Sequence, residues 1–250
     1  MRNYDKMKGS GDFSLLQNAQ DTVQKLEQSR HKKSGLKSHP KVMSDTQVNI
    51  GNFMDVQYTG SVFFGSEPEE LTLVFDTGSD MMVVETDLCP SCIQPVFNTS
   101  ESSTYTRVGY TSMSDLITMD YLSASLVGYN ATDTISISSS AGVSVSNMPF
   151  MAVAVQTGFT KDFDGILGLS RQYVDTDGSF KHQPLFIEQA QKASVITNEI
   201  VAFSMSKTST QSFADIGAIN LAGVKDSDSS NIVYVPISSD IPYFWYSAKV

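Results

Sequence analysis

The sequence is poor in cysteine, histidine and tryptophan, and it has few cations beyond its leader. Of 250 residues, two are cysteine, three are histidine and one is tryptophan. Two thiols, Cys89 and Cys92, cannot staple a disulfide-rich scaffold. With His31, His39 and His182 far off in sequence and no second cysteine pair, they do not complete a zinc pattern either. The spacing Cys-Pro-Ser-Cys leaves a redox pair, half a metal site or a small disulfide loop. No apolar run approaches the about 18 residues a membrane-spanning helix needs. The opening Met1-Arg2-Asn3-Tyr4-Asp5-Lys6 carries charge with no apolar stretch behind it, so it does not read as a secretory signal. Either the protein is not secreted or its true start lies upstream.

Charge is divided unevenly. Residues 1–47 hold nine Lys/Arg and five Asp/Glu, a balance of +4, whereas residues 48–250 hold eight and twenty-two, a balance of −14. An acidic body argues against nucleic acid as a partner, and a basic leader is attracted to it at neutral pH. Apolar content of 40% suffices for a core.

In the leader, residues 1–12 have little to bury. Leu15, Ala19, Val23 and Leu26 then recur at helical spacing between Phe13 and Gln28, ahead of Arg30-His31-Lys32-Lys33 and a terminating Gly35. From Val48 onward, short runs of Val, Ile, Thr, Phe and Tyr broken by Gly, Ser, Asn and Asp predict strands. Expected strands include Leu71–Phe75, Met81–Val84, Ser144–Val155, Ala202–Met205, Ile219–Gly223, Val233–Ile237 and Tyr243–Val250. Residues Gly65–Glu70 read as a polar hairpin turn. Leu185, Ile187, Ala190 and Ala193 predict a surface helix. Asn98-Thr99-Ser100 and Asn130-Ala131-Thr132 are both glycosylation acceptor patterns.

The chain is organised around Leu73-Val74-Phe75-Asp76-Thr77-Gly78-Ser79, where an apolar strand runs into an acid. Such an acid is costly unless it is hydrogen-bonded, and the hydroxyls and the glycine backbone behind it can supply donors. Gln57-Tyr58-Thr59-Gly60-Ser61-Val62-Phe63-Phe64-Gly65 precedes this stretch and Phe163-Asp164-Gly165-Ile166-Leu167-Gly168-Leu169 follows it. In this order the three segments resemble the pepsin-like aspartic endopeptidases (peptidase A1 type), from about Val48 to Val250.

The resemblance implies a mostly β fold: the N-terminal lobe of a pepsin-like acid protease over 48–250, with short surface helices and the start of the inter-lobe strands. A partly helical, basic pro-segment over 1–47 would precede it. It implies Asp76 as the first of two catalytic aspartates. Thr77 and Gly78 would hold its carboxylate in plane, and Ser79 would bond it from outside. Read without gaps, Tyr121 to Ile135 resembles the flap hairpin, with Tyr121 opening it and Ser125, Leu126 and Gly128 forming its tip and return. Phe163 and Ile166 would line the pocket before the scissile bond. A Cys89–Cys92 disulfide is implied, as are peptide or protein substrates and a secretory, lysosomal/vacuolar or extracellular location. No metal or cofactor is implied.

Two departures stand out. Val83 replaces a tryptophan that many members carry. The second Asp-Thr/Ser-Gly is missing, and Asp215-Ile216-Gly217 lacks the hydroxyl and reads as a glycine-rich strand start. The expectation is therefore a protease missing its second lobe. The alternatives are an inactive peptide-binding or inhibitory half-protease, or a homodimer in which each copy lends Asp76.

Overall fold

The computed structural model describes residues 46–235 apart from 54–56, 94–95, 110, 113–114, 122–123, 139–142, 161, 173–182, 207–211 and 222–223. All of these lie in the compact unit Lys41–Val250. The expected leader helix and the strand at Tyr243–Val250 fall outside them.

The strands follow the sequence pattern closely around the acid. They are β1 (Gln47–Phe53), β2 (Gln57–Phe64), β3 (Glu69–Asp76), β4 (Met82–Glu85), β5 (Thr106–Arg107), β6 (Ile117–Asp120), β7 (Ser125–Ser136), β8 (Ser144–Thr157), β9 (Gly165–Gly168), β10 (Val201–Ser204) and β11 (Phe213–Ile216). The helix predicted from Leu185 is α1 (Phe186–Lys192), which buries Phe186 and Ala190. The described strands form one sheet, ordered β10-β11-β1-β2-β3-β9-β4-β8-β7-β5, with β6 hung on β7. β7 also pairs with β2 through Phe63–Ser136 and Phe64–Ile135, so the run from β2 through β3, β9, β4, β8 and β7 closes on itself. Closing the ring removes sheet edges around the site. β3–β9 and β4–β8 are parallel pairs.

Alternation along β3 divides its side chains between two apolar clusters. Leu71, Leu73 and Phe75 enter the larger one, where Phe64, Phe97 and Phe150 meet with ring centroids 5.5–6.5 Å apart. Val74 faces the smaller cluster, built from Met81, Val83, Leu126, Met151, Val153, Phe159 and Ile166. Asp76 is two residues beyond Val74, so it leaves the strand on that second face.

Two expected strands differ. Ile219–Gly223 is not a strand where it is described; the strand there is β11, which contains Asp215 and Ile216. β1 and β10 supply its ladder partners. The chain then leaves the sheet at Gly217, whose φ of +85° suits glycine. Residues 233–235 are not in a strand either, and Val233 and Tyr234 stand 84% and 76% exposed.

Candidate active site

Asp76 ends β3 beside Gly168 of β9. Two donors fix its carboxylate: the Gly78 N–H to Oδ1 at 2.8 Å and the Ser79 hydroxyl to Oδ2 at 2.6 Å. Bonds of this kind offset the cost of holding a charge at the end of an apolar strand. The backbone is clamped as well. The Leu169 N–H donates to the Asp76 carbonyl at 2.7 Å, and that of Ser170 to the Ser79 carbonyl at 2.9 Å. The β9 strand thus passes behind the acid loop and grips it at both ends. Gly168 makes the approach feasible, since a Cβ there would lie 2.5 Å from the Met81 carbonyl oxygen. Thr77, expected to help hold the carboxylate, is exposed and makes no side-chain hydrogen bond among the described residues. Gly78 and Ser79 do that work.

Tyr121 follows β6, and its N–H donates to the Ala124 carbonyl at 2.7 Å, closing the turn into β7. With Asp120 paired to Ser125, the returning strand has already begun at Ser125, where the sequence reading placed the tip. Ser125, Leu126 and Gly128 all belong to the returning strand, where Ser125 pairs with Asp120 and its hydroxyl donates to the Asp120 carboxylate at 2.8 Å. Tyr121 packs against the smaller cluster together with Val74, Phe163 and Cys92. Its hydroxyl is buried and, among the described residues, meets no partner at hydrogen-bond geometry. Burial first, then the charges of Asp76 and Asp80, push its pKa above the usual phenol range, while Ser79 opposes part of the rise. We read Ser79 and the tyrosine hydroxyl as neighbours rather than a bonded pair, since the geometry of a bond is not met.

Ile166 belongs to the same cluster, Phe163 packs against it, and Phe159 stacks edge-on against Phe163 at 4.8 Å. Asp76, Tyr121, Phe163 and Ile166 thus belong to one face, and Ser125 lies at the edge of the hairpin. Cys89 and Cys92 form a disulfide at the border of this cluster. Val83, where a tryptophan was expected, is buried and faces it too. Asp215, the rejected second acid, accepts from the Gln47 amide at 2.6 Å in the β1–β11 ladder.

Sequence reading missed three members of this face. Val74 is signalled by strand alternation two residues before Asp76, and Phe159 by an aromatic four residues before Phe163. Glu85 ends β4 and is 2% exposed, with no partner for its Oε1 among the described residues. The uninterrupted apolar run Met81–Val84 leading into an acid was its available signal.

A closed β ring that presents one clamped carboxylate beside an aromatic wall, under a tyrosine-bearing hairpin, is the architecture of a lobe from an aspartic-type peptidase. The chain belongs to the eukaryotic aspartyl protease family, whose profile, described as Eukaryotic aspartyl protease, matches residues 57–250. It is 30% identical to rat (Rattus norvegicus) cathepsin D over 189 residues, 71% of this chain and 44% of that protein. It is 29% identical to pepsin A of Suncus murinus over 197 residues, 76% of this chain and 46% of the relative. Mouse (Mus musculus) cathepsin E is 34% identical over 134 residues, 51% of this chain and 32% of the relative. The chain thus spans between about a third and a half of the curated relatives it matches. No helix among the described residues is long and apolar enough to cross a membrane.

Proposed function

We propose that this chain is the first catalytic lobe of an acid endopeptidase and that Asp76 is one of its two catalytic carboxylates. The observation that carries this reading is the Asp76 carboxylate, held by the Gly78 N–H and the Ser79 hydroxyl on the face bordered by Tyr121, Phe163 and Ile166. Amide hydrolysis needs a water activated and a carbonyl polarised. A pair of carboxylates sharing one proton does both: the ionised member takes a proton from water, and the protonated one donates to the carbonyl oxygen. Asp76 supplies one of these groups, and the second comes from a lobe in the remainder of the protein. Residues 48–250 form the first lobe and the start of the strands between lobes. Residues 1–47 are a pro-segment, with a charge of +4 against −14 for residues 48–250.

Tyr121 closes over a bound peptide. Ser125 braces the hairpin through Asp120. Phe163, Phe159 and Ile166 offer an apolar wall to a large side chain beside the scissile bond. The exposed Val233 and Tyr234 present apolar surface of the kind a second lobe would cover. Substrates are peptides or proteins, and the route is secretory, ending in a lysosome or vacuole or outside the cell.

The test is Asp76→Asn in the full-length native protein, assayed for peptide hydrolysis in acid. Loss of activity with an unchanged unfolding transition supports the reading; activity retained by the variant sinks it.

A further inference from the structure

Two glycosylation acceptor triplets play no part in the proposed chemistry, and the fold treats them very differently. Asn98 precedes the 3-10 turn Thr99–Glu101 and caps it: its Oδ1 accepts from the Ser100 N–H at 3.1 Å and from the Ser100 hydroxyl at 2.7 Å. The triplet's own hydroxyl therefore already sits on the asparagine carbonyl. Among the described residues nothing accepts from Nδ2, the atom that would bear the sugar. Around it Ser100, Glu101, Ser103 and Thr104 are exposed, whereas Thr99, the middle residue of this triplet, is 7% exposed.

Asn130 lies inside the twelve-residue β7, with ladders on both sides. It pairs with Met151 of β8, its carbonyl accepts from the Val108 N–H at 2.8 Å, and the next residue pairs with Arg107 of β5. Ala131, the middle residue of the triplet, is 1% exposed. The Asn130 Oδ1 accepts from the Gln183 side-chain amide, which also reaches the Phe150 carbonyl at 3.2 Å. Asn130 and Gln183 line a cavity of about 480 Å³ with Val108, Asp115 and Pro149. A branched oligosaccharide on Asn130 would displace Gln183 from its bonds to Asn130 and to the Phe150 carbonyl.

We infer that Asn98 carries an N-linked glycan in the folded protein and that Asn130 does not. Threonine in the third position usually makes the better acceptor, so sequence alone ranks Asn130 first, and the fold reverses that order. Sugar is added before folding is complete. Chains modified at Asn130 would fail to close the Gln183 contacts and would be missing from the folded fraction. The inference rests on the secretory route proposed above.

The experiment expresses the full-length protein behind a supplied signal sequence in a eukaryotic host. The folded secreted fraction is digested with peptide-N-glycosidase F and mapped by peptide mass. The expected result is conversion of asparagine to aspartate at Asn98 alone. Modification is lost in Ser100→Ala, retained in Ser100→Thr and unchanged in Thr132→Ala. Asn98→Asp removes the sugar while keeping a capping oxygen, so it should fold and run as a single unmodified species. An unmodified Asn98 in the wild type, or a glycan on Asn130 in the folded fraction, overturns the inference. The supplied signal delivers the chain to the lumen in any case. A chain modified only when so delivered, and not from its native start, counts against the secretory route and leaves the site standing.

Discussion

Replacing Glu85 by glutamine should remove a penalty that neutral pH imposes on this lobe. Glu85 ends β4 on the same side as Val83, the face that carries Asp76. Its N–H donates to the Asp164 carbonyl at 2.8 Å, so the two acids share a bonded backbone at the start of β9. The Asp164 carboxylate accepts from the Thr72 N–H at 2.7 Å, while the Glu85 Oε1 meets no donor among the described residues. Burial above all, and then the charge of Asp164, pushes the Glu85 pKa from 4.5 up to about 7. Burial also raises Asp164, against the pull of its Thr72 bond.

The sign follows from which state releases its proton first. Below pH about 4.5 the folded and unfolded chains both hold the proton, and there is no penalty. Between about 4.5 and 7 the unfolded chain releases it and the folded chain keeps it, so stability falls as pH rises. Above about 7 the loss is complete. At about 1.4 kcal/mol per pH unit, the interval from 4.5 to about 7 amounts to at most about 3.5 kcal/mol. Urea unfolding followed by circular dichroism, for wild type and Glu85→Gln at pH 4 and pH 7.5, measures it. The variant should match the wild type within about 1 kcal/mol in acid and exceed it by up to about 3.5 kcal/mol at pH 7.5. If the difference between the two proteins is the same at both pH values, the reasoning about Glu85 is wrong.

Two substitutions at the acid loop test the clamp. Gly168→Ala places a Cβ 2.5 Å from the Met81 carbonyl oxygen and 2.6 Å from its nitrogen; the expected cost is about 1–3 kcal/mol in urea unfolding, typical of overpacking, and an unchanged midpoint would show that β9 is not pressed against Met81. Ser79→Ala removes the 2.6 Å bond to Asp76 Oδ2, and a bond to a charged group is worth about 1.5–3 kcal/mol, so kcat/KM of the full-length protein should fall at least about tenfold, with Ser79→Thr restoring part of it; full activity in the alanine variant would remove Ser79 from the site.

The acid loop was legible because its determinants are local. An apolar strand, an acid, hydroxyls and a glycine lie within seven residues, and the Gly78 and Ser79 bonds arise inside that span. Tyr121, Phe163 and Ile166 were legible only through resemblance, because what unites them is a sheet path that joins β4, β8 and β9 across long stretches of chain. Closure of the ring through β2 and β7 left no signature in either strand. The hairpin tip was misplaced because the segment contains no glycine between Tyr121 and Leu126, so composition does not mark the turn that the Tyr121–Ala124 bond makes. The strand expected at Ile219 failed for a related reason. Its apolar residues suit a strand, but the ladder partners on β1 and β10 were already taken by Phe213–Ile216.

Period-two alternation places Asp76, and it places Glu85 by the same rule. In β3, residues 71, 73 and 75 turn toward the large core, so 72, 74 and 76 turn the other way. In β4, Met82 and Val84 enter the large core, so Val83 and Glu85 share the opposite face. Both acids end short apolar strands on that face, and both would be costly there if left without donors. What separates them is the chain that follows. After Asp76 come a glycine N–H and a serine hydroxyl within three residues, and each reaches a carboxylate oxygen. After Glu85 come Thr86 and Asp87, whose side chains are engaged elsewhere: Thr86 donates to the Val153 carbonyl, and Asp87 accepts from Thr99. The Glu85 carboxyl faces Asp164 instead, a second acid in place of a donor, and keeps its proton toward neutrality. One alternation thus yields two acids in opposite surroundings: one has a donor on each carboxylate oxygen, and the other is buried beside Asp164, so the penalty it carries grows as pH rises toward about 7.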